Sequence, residues 1–188
     1  MNINAARLTL IGATIPALEA DLAGRAQLSA ALGVPVPDNW PPELYDAPAI
    51  EWTLNRLRNR TGPDDGLGMY YIVLRDGSSS VLVGVGGAGI SEEAGPGVVE
   101  IGYGVLPQFQ RRGYATETVA SFLSLAFAID NVTRVIAQTM PDLIASIRVL
   151  EKNGFRLRGE GFEESAILYE VTRDHYGSSS DAIGVTGT

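Results

Sequence analysis

Hydrophobic and polar positions follow a helical period over much of the first third of the chain. After an alternating strand at 7–11, apolar residues recur at helical spacing over 16–32 and again over 46–60, where Asp46 is a candidate N-cap. Residues 34–42 hold four of the ten prolines, which is incompatible with regular structure. This part of the chain therefore predicts one strand, two helices and a proline-rich loop.

The period then changes to short runs that are typical of strands. Strands are predicted at 69–75, 81–90, 98–106, 134–139, 155–158 and 166–171, and helices at 113–128 and 141–153. Short, turn-rich connectors join the first three of these strands, which indicates an antiparallel meander. The order predicts a single α/β domain with a mixed sheet over 1–176, followed by a flexible polar tail at 177–188.

Composition excludes several kinds of site. The chain has no cysteine and one histidine, His175, so cysteine nucleophiles and Cys-based or multi-His metal sites are excluded. Its formal net charge of −8 disfavours binding of nucleic acid along a broad basic face. No apolar run approaches the length of a membrane span, and no secretory signal pattern is present. We therefore expect a soluble, cytoplasmic protein.

Glycines gather between 84 and 113, and the run GVGGAG at 84–89 formally satisfies G-x-G-x-x-G. A dinucleotide fingerprint needs a helix that opens at its third glycine, whereas another strand follows here. The alternative is a strand whose missing side chains permit a bulge or the close approach of another group, and we favour that alternative.

The stretch VLPQFQRRGYATE at 105–117 carries the strongest chemical signal. A strand ends, a short loop follows, and a helix begins with amides that have no intrahelical partners, which favours an anion. Gly113 and Ala115 leave this backbone uncovered, and Arg111 and Arg112 add two positive charges. Taken alone, the loop is equally consistent with a plain helix start beside solvated arginines.

Three segments in order resemble the GNAT superfamily of N-acyltransferases. The loop QRRGYA at 110–115 resembles its acyl-CoA pyrophosphate loop, and EIGYGV at 100–105 and ASIRVLEKNGF at 145–155 are similar to its flanking motifs. Within the superfamily, the chain looks like the branch that includes the ribosomal-protein N-terminal acetyltransferases. The resemblance covers about 7–176 and implies a GNAT fold, a mostly antiparallel central sheet of about seven strands flanked by about four helices.

The resemblance implies acetyl-CoA as cosubstrate and no metal. Backbone groups around Val105 would pair with the pantetheine arm, and the amides of 111–116 would hold the pyrophosphate. The implied cofactor-binding residues are Val105, Gln110, Arg111, Arg112, Gly113, Tyr114, Ala115 and Thr116.

Glu100 is the implied catalytic base. By alternation, Glu100, Gly102 and Gly104 share one strand face, so the carboxylate points into a space that two glycines keep open. There it would deprotonate the acceptor amine directly or through a water. The alternative is a solvated strand carboxylate on the wet face of the sheet.

Ser146 is the implied proton donor to the departing thiolate. Many GNAT enzymes use a tyrosine for this step, but Leu150 occupies that position, and Leu143 replaces the asparagine that accompanies the serine in this branch. The alternative role of Ser146 is a helix-interior hydroxyl bonded to a carbonyl one turn back.

The sequence indicates less clearly which residues would bind the acceptor amine. Trp40 and Trp52 lie where the family roofs its acceptor site, although packing alone would also explain them. The acidic residues Glu160, Glu163 and Glu164 favour a cationic amine or form a solvated turn. His175, as a lone histidine, is interpreted as a surface residue.

Together these features predict transfer of acetyl from acetyl-CoA to a primary amine by direct attack in a ternary complex. The acceptor is a protein N-terminus or a small-molecule amine, and the resemblance leaves a homodimer open. Two alternatives remain: an acyl-CoA-binding module without turnover, and a fold without affinity for CoA.

Overall fold

The computed structural model describes residues 1–43, 45–61, 65–77 and 79–181. Its strands are β1 (Asn2–Asn4), β2 (Leu8–Gly12), β3 (Gly68–Asp76), β4 (Ser79–Ile90), β5 (Val98–Val105), β6 (Arg134–Thr139), β7 (Arg156–Glu160) and β8 (Ile167–Thr172). Its α-helices are α1 (Ile15–Ala23), α2 (Arg25–Leu32), α3 (Ala47–Arg58), α4 (Tyr114–Phe127), α5 (Ile144–Lys152) and α6 (Arg173–Asp181). The elements confirm the predicted α/β class.

The strands form a single sheet in the order β1-β2-β3-β4-β5-β6-β8-β7. The pairs β1/β2, β2/β3, β6/β8 and β7/β8 are antiparallel, and β5/β6 is parallel through Val98 to Glu100. The mixed, mostly antiparallel sheet expected from the resemblance is therefore confirmed. The described residues contain eight strands and six α-helices, one strand and two helices more than expected.

Local chemistry explains the helix boundaries. The predicted helix over 16–32 is two helices, because Gly24 at φ +124° interrupts it. The Thr14 side chain accepts from the Ala17 amide at 3.3 Å, and Asp46 caps α3 through the Ala49 amide at 3.1 Å, as its sequence predicted. Helix α6 extends through residues 177–181, which the sequence assigned to the tail, and 182–188 lie outside the described residues.

The chain forms two compact units, and the first comprises residues 1–87 and 103–121. Its core packs apolar faces of α1, α2 and α3 against β3 and β4, and the fully buried members include Leu18, Leu28, Tyr71 and Leu82. Each buried leucine contributes about 2 kcal/mol relative to an exposed one. The single domain over 1–176 stays a prediction.

Asp21 is a buried carboxylate at the centre of this core. The Trp40 indole donates to its Oδ1 at 2.8 Å, and the Tyr45 and Tyr71 hydroxyls each donate to Oδ2 at 3.0 Å. Burial raises the pKa of Asp21, and the three hydrogen bonds offset part of that rise. The carboxylate thus fastens the proline-rich loop and β3 to α1.

The glycine run at 84–89 lies within β4, and Gly84 marks a close approach between backbones. A Cβ at Gly84 would lie 2.2 Å from the Gly104 carbonyl oxygen and 3.1 Å from the Val105 Cα. No helix follows the run, which confirms the structural interpretation of the motif over the dinucleotide one.

We expect Gly84→Ala to lower the free energy of unfolding by about 3 kcal/mol, because rigid backbone must move to admit the methyl group. Urea denaturation followed by circular dichroism measures the change. Gly68→Ala is the matched control, since a Cβ there meets nothing within 4 Å. Equal midpoints for the two variants would contradict the close approach.

The second unit comprises residues 88–102 and those from 122 onward. In it, Arg173 closes the end of α4 by donating to the carbonyls of Phe127, Ile129 and Val132 at 2.8, 2.6 and 2.8 Å. Its guanidinium carbon also lies 5.4 Å from the centre of the Phe127 ring. One side chain therefore links the last turn of α4 to the segment that precedes β6.

Glu170 on β8 joins the three strands at this edge of the sheet. The carboxylate is 6% exposed, and it accepts from Arg134 on β6 at 2.9 Å and from Arg158 on β7 at 2.9 and 2.5 Å. Burial raises the pKa of Glu170, but the hydrogen bonds and charges of Arg158 and Arg134 outweigh it, so the net pKa is lowered.

A lowered folded-state pKa makes this edge acid-sensitive. Glu170 contributes stability above the ordinary glutamate pKa and loses it as pH falls through the lower folded value. We expect the free energy of unfolding to fall more steeply between about pH 5 and pH 3 in the native protein than in Glu170→Gln. Exposed Glu92→Gln is the control, and identical slopes for all three proteins would contradict the prediction.

Candidate active site

The loop between β5 and α4 belongs to the first unit and bends sharply twice. A 3-10 turn at Pro107–Phe109 leads into Arg111 at φ +62°, and Gly113 follows at φ +82°. Left-handed residues in a tight turn can direct backbone amides toward an anion. Arg111 has a side chain and still adopts this conformation, which is strained backbone of the kind that clusters at ligand sites.

The amides of this loop are available to a ligand. The first backbone hydrogen bond of α4 runs from the Glu117 amide to the Gly113 carbonyl at 3.0 Å. Within the described ranges, the amides of 111–116 donate to no protein atom, and residues 110–113 are exposed. The structure thus has the donor-rich helix start that the sequence predicted.

The side chains of the predicted cofactor loop have three kinds of surroundings. Arg111 and Arg112 are exposed, and neither guanidinium has a partner in the described part of the chain. Gln110 instead donates to the Val105 carbonyl at 2.9 Å and so fastens the loop to the end of β5. Tyr114 is 8% exposed, and Ala115 and Thr116 are half-buried. Two free cations therefore lie beside the uncovered amides.

A set of hydrogen bonds that holds this loop was not predicted from the sequence. The Glu117 carboxylate on α4 accepts from the Arg7 and Leu8 amides at 2.6 and 3.1 Å and from Arg7 Nε at 2.9 Å. Arg7 Nη1 reaches the Arg112 carbonyl at 2.9 Å. The only sequence signal was an acid in the first turn of a helix, a position that the helix dipole also favours.

Glu100 lies on β5 in the second unit and is half-buried. Ser91 Oγ donates to its Oε2 at 3.2 Å, and Gln138 Nε2 donates to its Oε1 at 2.8 Å. Each carboxylate oxygen retains a second lone pair, so the group can still accept a proton. Two side-chain partners distinguish Glu100 from a simply solvated strand carboxylate.

Gln138 links Glu100 to the segment before β8. Its Oε1 accepts from the Phe162 and Glu163 amides at 2.6 and 3.1 Å, which fixes Nε2 as the donor toward Glu100. A Cβ at Gly161 would lie 2.6 Å from Gln138 Oε1, so only glycine fits beside it. No local pattern in the sequence predicts this link.

The two glycines expected to share the face of Glu100 have different surroundings. A Cβ at Gly102 would meet nothing within 4 Å, so that position is open. A Cβ at Gly104, in the first unit, would lie 3.5 Å from the Pro42 side chain. The expectation of open space is thus met at Gly102, whereas the proline-rich loop covers Gly104.

Ser146 is half-buried near the start of α5. Leu143 is the N-terminal cap residue of that helix and is 46% exposed, and it forms no side-chain cap. Leu150 is fully buried in place of the tyrosine found in many GNAT enzymes. The described structure therefore has no hydroxyl at position 150, and Ser146 remains the predicted donor.

The two tryptophans lie in contrasting environments. Trp40 is 8% exposed and bonded to Asp21, so its contacts are those of a packed core residue. Trp52 is 63% exposed on α3, with the Arg56 guanidinium 5.4 Å from its ring centre. Packing accounts for Trp40, and Trp52 presents an open aromatic face.

An open cavity of about 490 Å³ is lined by residues 160–167. It includes Glu160, Glu163 and Glu164, the acidic cluster singled out in the sequence. These carboxylates would attract a cation to the cavity. His175 lies exposed on α6 and is not among the residues that line this cavity.

Metal sites and membrane-spanning helices are both absent from the part of the chain that the structure describes. No group of three or more His, Asp or Glu side chains there is placed to hold a metal ion. Nor does any described helix have the length and apolarity needed to cross a membrane.

Comparison with known proteins adds a family match. The sequence profile of the acetyltransferase (GNAT) domain matches residues 16–156. YjdG of Bacillus subtilis, named as an uncharacterised N-acetyltransferase, is 27% identical over 165 residues, which cover 87% of this chain and 94% of YjdG. YnaD, another N-acetyltransferase of B. subtilis, is 40% identical over 68 residues, 36% of this chain and 39% of YnaD.

Solved structures share the fold. RimJ of Mycobacterium smegmatis, in complex with a CoA disulfide, superposes with a TM-score of 0.61 at 18% identity, covering 98% of this chain and 95% of RimJ. RimL, a ribosomal L7/L12 α-N-protein acetyltransferase in complex with CoA, gives 0.63 at 18% identity, covering 93% and 99%. Because both sequence identities are 18%, these similarities show a shared fold and nothing more.

Proposed function

Because the chain belongs to the GNAT acetyltransferase family, we propose that this acyltransferase moves the acetyl group of acetyl-CoA to a primary amine by direct attack in a ternary complex. The observation that carries the proposal is the row of unbonded amides at 111–116, beside Arg111 and Arg112. Bound acetyl-CoA supplies an activated thioester, and the protein supplies position and proton transfer.

The donor site fits a pyrophosphate. Gly113 adopts a left-handed conformation that strains any L side chain, and the start of α4 offers amides and a positive dipole end. Arg111 and Arg112 add charge to a chain that is otherwise acidic. Backbone groups around Val105 are proposed to pair with the pantetheine arm.

Glu100 is proposed to accept the proton that the attacking amine loses, directly or through a water. Ser91 and Gln138 hold the carboxylate in one orientation, so the group need not reorganise during the reaction. As the C–N bond forms and the C–S bond breaks, Ser146 is proposed to donate a proton to the thiolate and to regain one from solvent, so that CoA leaves as the free thiol.

The acceptor is proposed to be a cationic amine. The acidic residues of the 160–167 cavity would attract it, and Gln138 connects that segment to Glu100. RimL acts on a protein N-terminus, so N-terminal peptides belong among the candidates beside polyamines and amino sugars. Trp52 offers an exposed aromatic face to such a ligand, whereas Trp40 is proposed to act only by supporting the loop around it.

The proposal is tested by combining calorimetry with a thiol-release assay. Calorimetry should show one CoA per chain, and thiol release from acetyl-CoA should rise with at least one amine of the panel. Ser146→Ala should slow release without weakening CoA binding. Tight CoA binding with no turnover on any amine would favour a binding module, and no binding of CoA would overturn the donor site itself.

A further inference from the structure

We propose that Arg7 is a positioning residue for the donor loop, which is the segment 110–116 proposed above to bind the acyl donor. Arg7 holds the Arg112–Gly113 peptide so that its amide faces the pyrophosphate. This inference rests on the proposed function and extends it to a residue that lies about a hundred positions before the loop in the sequence. Arg7 precedes β2, outside every motif that pointed to the cofactor.

The contacts of Arg7 converge on the loop from one side. Nη1 donates to the Arg112 carbonyl at 2.9 Å, and the guanidinium carbon lies 4.8 Å from the centre of the Tyr114 ring. A Cβ at Gly113 would come within 3.2 Å of Nη2. The arginine thus contacts Arg112 and Tyr114, the residues on either side of Gly113, where the helix begins.

Because a peptide group is planar, these contacts determine the direction in which the Gly113 amide points. In a trans peptide the carbonyl and the amide hydrogen point in opposite directions. Because Arg7 holds the Arg112 carbonyl, the Gly113 amide points away from Arg7, and the peptide cannot rotate without losing that hydrogen bond. The amide therefore needs no reorientation when an anion arrives.

Glu117 holds the arginine in place. It accepts Nε at 2.9 Å while its other oxygen accepts two backbone amides, so the guanidinium plane is fixed at its base. The paired carboxylate also offsets the positive charge of Arg7. Orientation, rather than added charge, is therefore what Arg7 contributes.

The test compares CoA with pantetheine, which lacks the pyrophosphate. For Arg7→Ala we expect the Kd of CoA to rise about tenfold, while the Kd of pantetheine, measured by ligand-observed NMR, changes less than about twofold. Arg7→Lys should behave like Arg7→Ala, since one ammonium cannot reproduce the fork between Glu117 and Arg112. Arg75→Ala is the matched control: Arg75 bonds the Ala5 and Ala6 carbonyls on the same N-terminal segment and should leave both Kd values unchanged.

Three results would overturn the inference. The first is an unchanged Kd for CoA in Arg7→Ala. The second is an equal loss of affinity for CoA and for pantetheine, which indicates general damage to the site. The third is full rescue of CoA affinity by Arg7→Lys, which indicates that charge alone matters. If the native protein binds no CoA, the proposed function fails first, and the two failures are thereby distinguished.

Discussion

Glu100→Gln should reduce turnover by roughly 10²- to 10⁴-fold, because an amide cannot accept the proton that the amine must lose. The substituted side chain keeps its size and can still accept from Gln138 Nε2, so the fold is expected to persist. Binding of CoA should change less than about twofold, since the change leaves the donor loop intact. Steady-state thiol release and calorimetry on the same preparation measure the two quantities.

Glu93→Gln provides the matched control for this experiment. Glu93 lies exposed in the turn between β4 and β5, and its change alters net charge by the same amount. It should retain native turnover. Native turnover in Glu100→Gln would instead show that the carboxylate is structural and that the amine loses its proton to solvent.

Gly113→Ala should weaken binding of CoA by about a hundredfold, the loss expected when one or two hydrogen bonds to a charged group are broken. At φ +82° an alanine is strained, and its methyl group would press against Arg7 Nη2 at 3.2 Å. Relief of either strain rotates the peptide whose amide faces the pyrophosphate. Calorimetric titration of CoA measures the loss.

Gly33→Ala separates this effect from simple destabilisation. Gly33 also has a left-handed conformation, at φ +69°, and its Cβ would meet nothing within 4 Å. Both variants should lose about 1–2 kcal/mol of folding free energy, but only Gly113→Ala should lose affinity for CoA. An equal, small change in affinity for both would contradict the role of the loop.

Most of the elements were readable in the sequence because their signals are local. The helix cap at Asp46 and the loop glycine at 113 each act within a few residues of themselves. The three-residue strand β1 lacks a periodic pattern long enough to detect. Helix α6 was missed because its residues, RDHYGSSSD, have low helix propensity and no apolar stripe.

The long-range contacts were not readable, for a physical reason. Arg7 and Glu117 are 110 positions apart, and Glu100 and Gln138 are 38 apart, so only the completed fold brings each pair together. The same holds for Asp21, which in the sequence merely interrupts an apolar stretch but in the fold accepts three hydrogen bonds. The sequence determines such pairs, but no local pattern in a single sequence shows which distant residues will be in contact.

The most direct test of the account follows the acetyl group itself. The native protein is mixed with acetyl-CoA labelled in the acetyl group and with the amine that gave the highest thiol release. We predict label in the amine, one free thiol for each amine acetylated, and no label on the protein, because the attack is direct. Label retained on the protein as an intermediate, or CoA bound with no labelled amine, would contradict it.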